Sequence, residues 1–481
     1  MDVMLEMPIY KIIGEVADRL GVSAYAVGGV VRDYFLQRHC TDIDVVCIGN
    51  GITLATEVAK EIGQRHHREI PVNVFKNFGT ASFVYYYNDE KWQIEFVGAR
   101  KESYRLDSRK PIVEDGTLED DQNRRDFTIN AMAVGLNDSN FGTLVDPFGG
   151  IRDMNNGLIK TPLDPDITFS DDPLRMMRAL RFAAQLNFVI HIDTFDAIKR
   201  NVDRLSIVSS ERICVELNKI VESKHASYGF ELMHKTGVLA FIFPELERLK
   251  GTETVNGHSH KDNFKHTLEV LDHVAALGGG LWLRWAAIMH DIGKPDTKRY
   301  DAKLGWTFHG HEVRGSKMVK KIFNRLKLPL DAKMRYVEKL VLLHLRPIIL
   351  AEDIVTDSAV RRLLFDAGED IDDLMVLCEA DITSKNMEKV KRFKNNFAIV
   401  RQKLIEIEEK DRIRNFQPPV SGEDIMSTFG IGPCREIGTI KDAIKDAILD
   451  GIIPNEREAA WSMMYEIAEK IGLRNNTEHH P

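Results

Sequence analysis

Cysteine is scarce in this chain, five among 481 residues, and no two are spaced C-x-x-C. That excludes a disulfide framework and a thiolate zinc knuckle, and leaves scattered thiols of a reducing compartment. Long apolar runs are missing as well, since no stretch approaches the ~20 residues that span a bilayer. The opening segment carries Asp2, Glu6 and Pro8 where a secretory signal needs a basic start and an unbroken apolar core, so the expected compartment is the cytosol and no membrane partner is expected. An excess of positive charge is also absent. With 65 basic and 73 acidic residues the net charge is −8, which speaks against indiscriminate coating of nucleic acid and confines any such contact to local patches. No internal repeat or low-complexity tract is present.

The length favours three or four domains. Residues 1–150 alternate strand-like and helix-like stretches, with strands suggested at Ala24 to Val27, Val45 to Ile48, Ala81 to Tyr87, Gln93 to Val97 and Ala131 to Leu136. From Asp153 onward helical periodicity takes over. The expected fold class is therefore an α/β head, a mixed sheet with helices, followed by all-α segments at 151–250, 251–417 and 418–481. Gly278-Gly279-Gly280 reads as a loop between helices, and Pro418-Pro419 with Ser421-Gly422 as the linker to the last piece. Two basic runs are the local patches: Arg314 to Arg335, and Lys385, Lys389, Lys391, Arg392 and Lys394.

The most informative stretch is Ala26 to Asp44. A strand ends at Gly28-Gly29, where the lack of Cβ atoms lets the backbone approach a phosphate ahead of a helix. Asp42 and Asp44 sit two apart in a β-branched run, so both carboxylates leave one face of a strand. Hard oxygen ligands on one face suit Mg²⁺ beside a triphosphate. Glu95, in the strand-like run Trp92 to Val97, is a third metal-facing carboxylate or an exposed strand acid. Further on, Arg124-Arg125-Asp126-Phe127-Thr128-Ile129-Asn130-Ala131 sets two guanidinium groups and a carboxylate ahead of an apolar stretch.

Together, Gly-Gly-Val-Val-Arg-Asp at Gly28 to Asp33, Asp42-Ile43-Asp44 and Arg124 to Ala131 resemble the bacterial-type (class II) tRNA nucleotidyltransferase family, which includes CCA-adding enzymes and bacterial poly(A) polymerases. Val145 to Asp153 is similar to that family's connection between head and neck, and Glu211 to Leu217 to its last neck motif. The resemblance implies two Mg²⁺ ions on Asp42 and Asp44. It implies nucleotide contacts from Gly28, Gly29, Arg32, Arg125, Asp126 and Asn130.

In Ser170-Asp171-Asp172-Pro173-Leu174-Arg175-Met176-Met177-Arg178, Ser170 or Asp171 is the expected helix cap and Pro173 suits the first turn. Asp171, Arg175 and Arg178 then fall at i, i+4 and i+7 on one face. The resemblance implies a protein template here, carried by Asp172 and Arg175, with Arg178 also at the nucleotide. Asp171 stands where the family commonly has Glu. Asp accepts and Arg donates, which matches the Watson–Crick edges of cytosine and adenine. Guanine and uracil present the reverse order, and two unpaired groups at about 1 to 3 kcal/mol each would reject them by roughly two to four decades.

The middle of the chain holds His266, then His290-Asp291-Ile292-Gly293-Lys294, His311, His344 and Asp381. This order resembles an HD domain, implying His266, His290, Asp291 and Asp381 around a divalent ion, with His311 and His344 able to extend the set. Imidazole with carboxylate suits a transition metal better than Mg²⁺. The expected activity is ATP(CTP):tRNA nucleotidyl transfer that builds or repairs a 3′ CCA end, with the tRNA acceptor end, ATP and CTP as partners. A poly(A) polymerase, an A-adding specialist, and an HD metallophosphohydrolase whose head binds nucleotide or RNA are the alternatives.

Overall fold

The computed structural model describes residues 4–76, 79–105, 108–255, 258–352, 356–383, 386–411, 413 and 416–473. Asp2, Lys385 and the tail from 474 onward lie outside the described residues. The chain divides into two compact units, 1–242 and 243–481.

In the first unit the strands are β1 (Ala24–Val27), β2 (Asp42–Cys47), β3 (Asn73–Phe75), β4 (Thr80–Tyr87), β5 (Glu90–Gly98), β6 (Arg100–Arg105), β7 (Ser108–Asp115), β8 (Ala133–Gly135), β9 (Leu144–Val145) and the short parallel pair β10 (Leu158–Ile159) and β11 (Val189–Ile190). Seven of them form one sheet in the order β3-β4-β5-β2-β1-β8-β9, while β6 and β7 pair as a separate hairpin. The sheet is mixed: β2 runs parallel to β5, and the other neighbours are antiparallel. Alternation in β2 buries Ile43 and Val45 and leaves Asp42 and Asp44 exposed, as a period of two requires. Helices Pro8–Leu20 and Gly51–His66 carry buried apolar stripes, and Gly51–His66 packs on β4 and β5. Asn50 caps it, its side chain accepting from the Thr53 N–H at 3.0 Å.

Two local readings change. The suggested strand over Ala131 to Leu136 shrinks to β8, because Thr128–Asn130 is a single 3₁₀ turn leading into it. The single helix expected across Ser170 to Arg178 is two. Helix Pro165–Asp171 ends at Asp172, whose backbone is extended (φ −138°, ψ 99°), and a second helix runs from Leu174 to Leu186. Neither Ser170 nor Asp171 is therefore its cap. The cap position falls on Pro173, and Asp172, one residue earlier, accepts from the Leu174 N–H through Oδ1 at 3.2 Å. Asp171 belongs to the earlier helix, so it shares no continuous helical face with Arg175 and Arg178. Pro173, which cannot donate, explains the break.

Among the described residues, the second unit is helical apart from two short strand pairs, Thr254–Val255 with His258–Ser259 and Arg299–Asp301 with Gly305–Thr307. Gly278 to Gly280 does separate helices Asn263–Ala276 and Leu281–Met289. Ser421 opens the next helix after the Pro-Pro linker through a reciprocal cap with Asp424. Within the first basic run, Arg314 and Arg325 pair with Asp296 and Glu245, while Lys317, Lys320 and Lys321 stay exposed on helix His311–Leu326. Among the described residues no helix is long and apolar enough to cross a membrane.

Candidate active site and metal centre

The register between β2 and β5 sets Asp42 against Gln93 and Asp44 against Glu95. Partners in a parallel register share a sheet face, so Asp42, Asp44 and Glu95 stand together on the exposed side. Asp44 opens to solvent yet is ringed by protein, and its carboxyl is pushed up to about 6. Desolvation is the larger cause, Glu95, Asp42 and Asp121 add like-charge repulsion, and Arg125 opposes them. Asp42, Asp44 and Glu95 do not form a described group whose ligand atoms all lie within 4.8 Å of one another.

Beside these acids, Gly28 has φ +74°, a conformation that disfavours any side chain. A Cβ there would meet Arg125 Nη1 at 2.9 Å and Asp44 Oδ2 at 3.4 Å. The missing side chain keeps open the space between guanidinium and carboxylate. Arg32 is held by two contacts to Asp33, 2.9 and 2.7 Å, and one to Asn130 Oδ1 at 2.8 Å. Arg125 donates to buried Asp121 at 2.9 Å. Asp126 is buried and accepts from Arg178 Nε at 2.7 Å and Asn130 Nδ2 at 3.0 Å. Burial would raise its pKa, but Arg178 and Asn130 overcome this and hold it at about 2. Arg178 is thereby a partner of Asp126 and Asn130 a bridge between Asp126 and Arg32.

At the helix break, Asp172 Oδ2 lies 3.1 Å from Arg212 Nη2. Arg175 donates to the carbonyls of Thr168 and Arg124. A carboxylate offers about four lone-pair sites and a guanidinium five N–H donors, so both keep capacity for a base. Phe182 escaped the sequence reading, and Arg212 entered it only within the last neck motif, without its pairing to Asp172. Arg212 lies 40 residues from its partner, and Phe182 looks like any apolar helix residue, although Arg32, Arg178 and Arg181 all lie over its ring, 4.9, 5.5 and 4.2 Å from its centroid.

In the second unit all six predicted His and Asp residues converge. His290, His344 and Asp381 follow the last residues of three helices, and His311 begins a fourth. Helix ends leave carbonyls without intrahelical partners, and the Nδ1 atoms of His290 and His344 use those of Ala287 and Val341, both at 2.7 Å. His311 Nδ1 meets the Phe308 carbonyl at 2.8 Å. A nitrogen facing a carbonyl must donate, so each ring turns Nε2 inward. Those atoms surround Asp291. Its Oδ2 lies 3.2 Å from His290 Nε2 and 3.6 Å from His266 Nε2, and its Oδ1 lies 3.2 Å from His311 Nε2 and 4.0 Å from His344 Nε2. Asp381 Oδ1 is 2.8 Å from His266 Nε2. His290 Nε2 is buried between Asp291 Oδ2 and Asp381 Oδ1, which lies 3.6 Å away.

Burial opposes charge on His290, Asp291, His344 and Asp381. Even so, Asp291 and His290 charge each other, the carboxyls of Asp291 and Asp381 lying well below their usual range and His290 rising to about 10. His344, buried beside His290, falls to about 3. Lys294, which the sequence reading passed over, sits 2.6 Å from Asp291 Oδ2, one helical turn on. Two groups fit a divalent ion: His266 with His290 and Asp381, and Asp291 with His311 and His344.

Comparison with known proteins gives three family matches. A poly A polymerase head domain covers residues 24–160, a probable RNA and SrmB-binding site of polymerase A covers 187–250, and an HD domain covers 263–386. An A-adding tRNA nucleotidyltransferase of Deinococcus radiodurans is 32% identical over 353 residues, which is 71% of this chain and 78% of that protein. A multifunctional CCA protein of Nitrosococcus oceani is 32% identical over 316 residues, 64% of this chain and 71% of its own length. The CCA-adding enzyme of Bacillus stearothermophilus in complex with CTP matches in fold with a TM-score of 0.67 at 22% identity, over 96% of this chain and 97% of that one. A tRNA nucleotidyltransferase complexed with a primer tRNA and an incoming ATP analog matches with a TM-score of 0.55 at 25% identity, over 81% and 98%.

Proposed function

The chain belongs to the tRNA nucleotidyltransferase and poly(A) polymerase family, and from that premise we propose that it builds or repairs the 3′-terminal CCA of tRNA in the cytosol, using CTP and ATP without a nucleic-acid template. The observation that carries the reading is the β2–β5 register, which lines Asp42, Asp44 and Glu95 along one open face beside Gly28. A donor set made only of carboxylate oxygens fits Mg²⁺. Bound there, Mg²⁺ supplies activation of the RNA 3′-hydroxyl and charge neutralisation on the departing pyrophosphate.

The remaining work falls to the chain itself. Gly28 and Gly29 let the triphosphate approach the backbone, and Arg32 and Arg125 face its charge. Asp126 acts from beneath, buried, by fixing Arg178 and Asn130. Asp172 accepts from the exocyclic amine of cytosine or adenine while Arg175 donates to the ring nitrogen. Arg212 holds the Asp172 carboxylate and so orients the template. On this reading residues 1–150 transfer, 151–250 select the base, 251–417 form the HD domain and 418–481 a helical tail domain.

The test presents tRNA ending at its discriminator base with each nucleotide separately and together. Two CMP followed by one AMP is the expected product. A single AMP added only to tRNA already ending in CC marks an A-adding enzyme, open-ended AMP addition marks a poly(A) polymerase, and incorporation of GMP or UMP at comparable rates sinks the template.

A second reading rests on the buried His and Asp set of the second unit: a metal-dependent phosphohydrolase acting on a phosphate left at an RNA end. Imidazole and carboxylate donors fit a transition metal there. Such an ion supplies Lewis acidity toward a phosphoryl oxygen. Release of inorganic phosphate from 3′-phosphorylated RNA, dependent on added Mn²⁺, Co²⁺ or Ni²⁺ and on His290, is the check.

A further inference from the structure

Resting on the reading that the chain acts on tRNA, we propose that helices His311–Leu326 and Ala332–Leu343 of the second unit form an RNA-contact surface, with a groove at Trp282 that takes one unstacked nucleotide of the bound RNA. The basic run from Arg314 to Arg335 lies on these two packed helices, and its cations fall into two classes. Arg314 and Arg325 are tied to Asp296 and Glu245. Lys317, Lys320, Lys321, Lys333 and Arg335 are exposed and make no ion pair among the described residues. Lys317, Lys320 and Lys321 recur at i, i+3 and i+4, so they share one helix face. Lys333 and Arg335 stand in the opening turns of their helix, where cations oppose the dipole, so they do not serve the helix itself. In a chain whose net charge is −8 these unpaired like charges repel one another, and a polyanion is the partner that offsets the repulsion.

A groove of about 700 Å³ opens where the start of helix Leu281–Met289 meets the start of Ala332–Leu343, a volume typical of a ligand cleft. Its walls set the half-buried indole of Trp282 and the phenol of Tyr336 beside Lys333, Arg335 and Lys339. Two carboxylates line it too, and both are engaged: Asp370 lies 2.6 Å from Lys339 Nζ, and Asp373 accepts from the Tyr336 hydroxyl at 2.7 Å. Lys333 and Arg335 are left without a carboxylate. Lys333 Nζ rests over the Trp282 ring, 5.4 Å from its centroid. A base that stacks on the indole displaces this ammonium, which then meets the phosphate of the same nucleotide together with the Arg335 guanidinium. The exchange is favourable, because stacking of a base on an aromatic ring exceeds an exposed cation–π contact. Asp373 keeps lone pairs for an amine on the base. A base inside a paired stem offers no face to Trp282, so the nucleotide comes from a loop, a bulge or a free end.

The experiment measures binding of the full chain to labelled tRNA ending at its discriminator base, by fluorescence anisotropy over a salt series without CTP or ATP, so the result does not depend on which nucleotides the head joins. Trp282→Ala should weaken binding about 10-fold or more at every salt concentration and leave the slope of log K against log salt unchanged, while Trp282→Phe restores most of the affinity. Lys333→Gln with Arg335→Gln should reduce that slope by roughly 1.4 to 1.8, the loss of two phosphate contacts. Acetylation of the parent chain, read by mass spectrometry, needs no substitution: bound tRNA should shield Lys320, Lys321 and Lys333, and free AMP or CMP should not. Unshielded lysines in a parent chain that binds tRNA overturn this surface and leave transfer at the head standing. Trp282→Ala binding at parental affinity overturns the stacked nucleotide, and shielding of Lys333 by AMP or CMP but not by tRNA makes the groove a small-molecule site instead. A parent chain that binds no tRNA overturns the transfer reading and this surface together.

Discussion

The head presents Asp42, Asp44 and Glu95 on an exposed strand face, whereas the second unit gathers four imidazoles and two carboxylates at buried helix ends. A carboxylate set on an open strand is incomplete alone, and phosphate oxygens of the substrate fill the remaining positions around a hard ion. On the proposed reading, such a site would assemble only when the nucleotide arrives. The helix-end site is assembled beforehand, because backbone carbonyls lock the ring tautomers and burial keeps water out. On that reading, one chain would hold a centre that waits for its substrate and another preset for a metal.

Substituting Asp42 or Asp44 by Ala should separate the two most sharply. Nucleotide incorporation into truncated tRNA should fall by about 10³-fold or more, as for loss of charge stabilisation at a reacting centre, while the Mn²⁺ content of the second unit stays unchanged. The reverse experiment is His290→Gln or Asp291→Asn, which should weaken metal binding in the second unit by roughly 10²-fold or more; equilibrium dialysis reads it, and unchanged affinity would remove those residues from the site. Asp172→Ala tests the head's selectivity. Competition between CTP and UTP should show discrimination reduced on the order of 10- to 100-fold, since one pairing partner is lost.

Acid should strain the head through Asp126, as it should the second unit through Asp291 and Asp381, which are also held below the usual carboxylate range. Asp126 titrates at about 2 when folded, below the unfolded value of about 3.9, so its contribution is complete above pH ~4 and is lost as pH falls toward 2. Wild type should exceed Asp126→Asn by about 2 kcal/mol at neutral pH in urea unfolding, with the gap closing across that window. The smallest effect concerns Asp44, whose carboxyl is raised to about 6. Protons compete with Mg²⁺ below that pH, so apparent Mg²⁺ affinity should drop about tenfold per pH unit below 6 and level off above it. A flat profile in isothermal titration would show that Asp44 is not a ligand.

Much of the head was legible because a strand repeats every second residue. Asp42 and Asp44 had to share a face, and Glu95 needed only the right register, which β5 provides. The HD residues were legible from their order and type. What escaped depends on partners far along the chain or on the backbone. Where the second neck helix begins turns on one extended residue before Pro173, and helical periodicity ran straight across that break. The hairpin of β6 and β7 and the short β3 lack the apolar alternation that marks a half-buried strand. The gathering of these side chains follows from where three helices end and a fourth begins, and no spacing in the sequence reveals it.

The ring of Phe182 has a consequence for how fidelity reaches the chemistry. It lies beneath Arg32, next to the glycine turn, and beneath Arg178 and Arg181, on the helix that begins just past the template aspartate. Three like charges share one aromatic cushion, so none shifts without the others feeling it. On the proposed reading, a mispaired base that shifted this helix would also disturb Arg32 beside the glycine turn, tying base choice to the triphosphate contacts. Shaving that cushion to Leu would leave every polar contact in place while uncoupling the choice of letter from the speed of joining it.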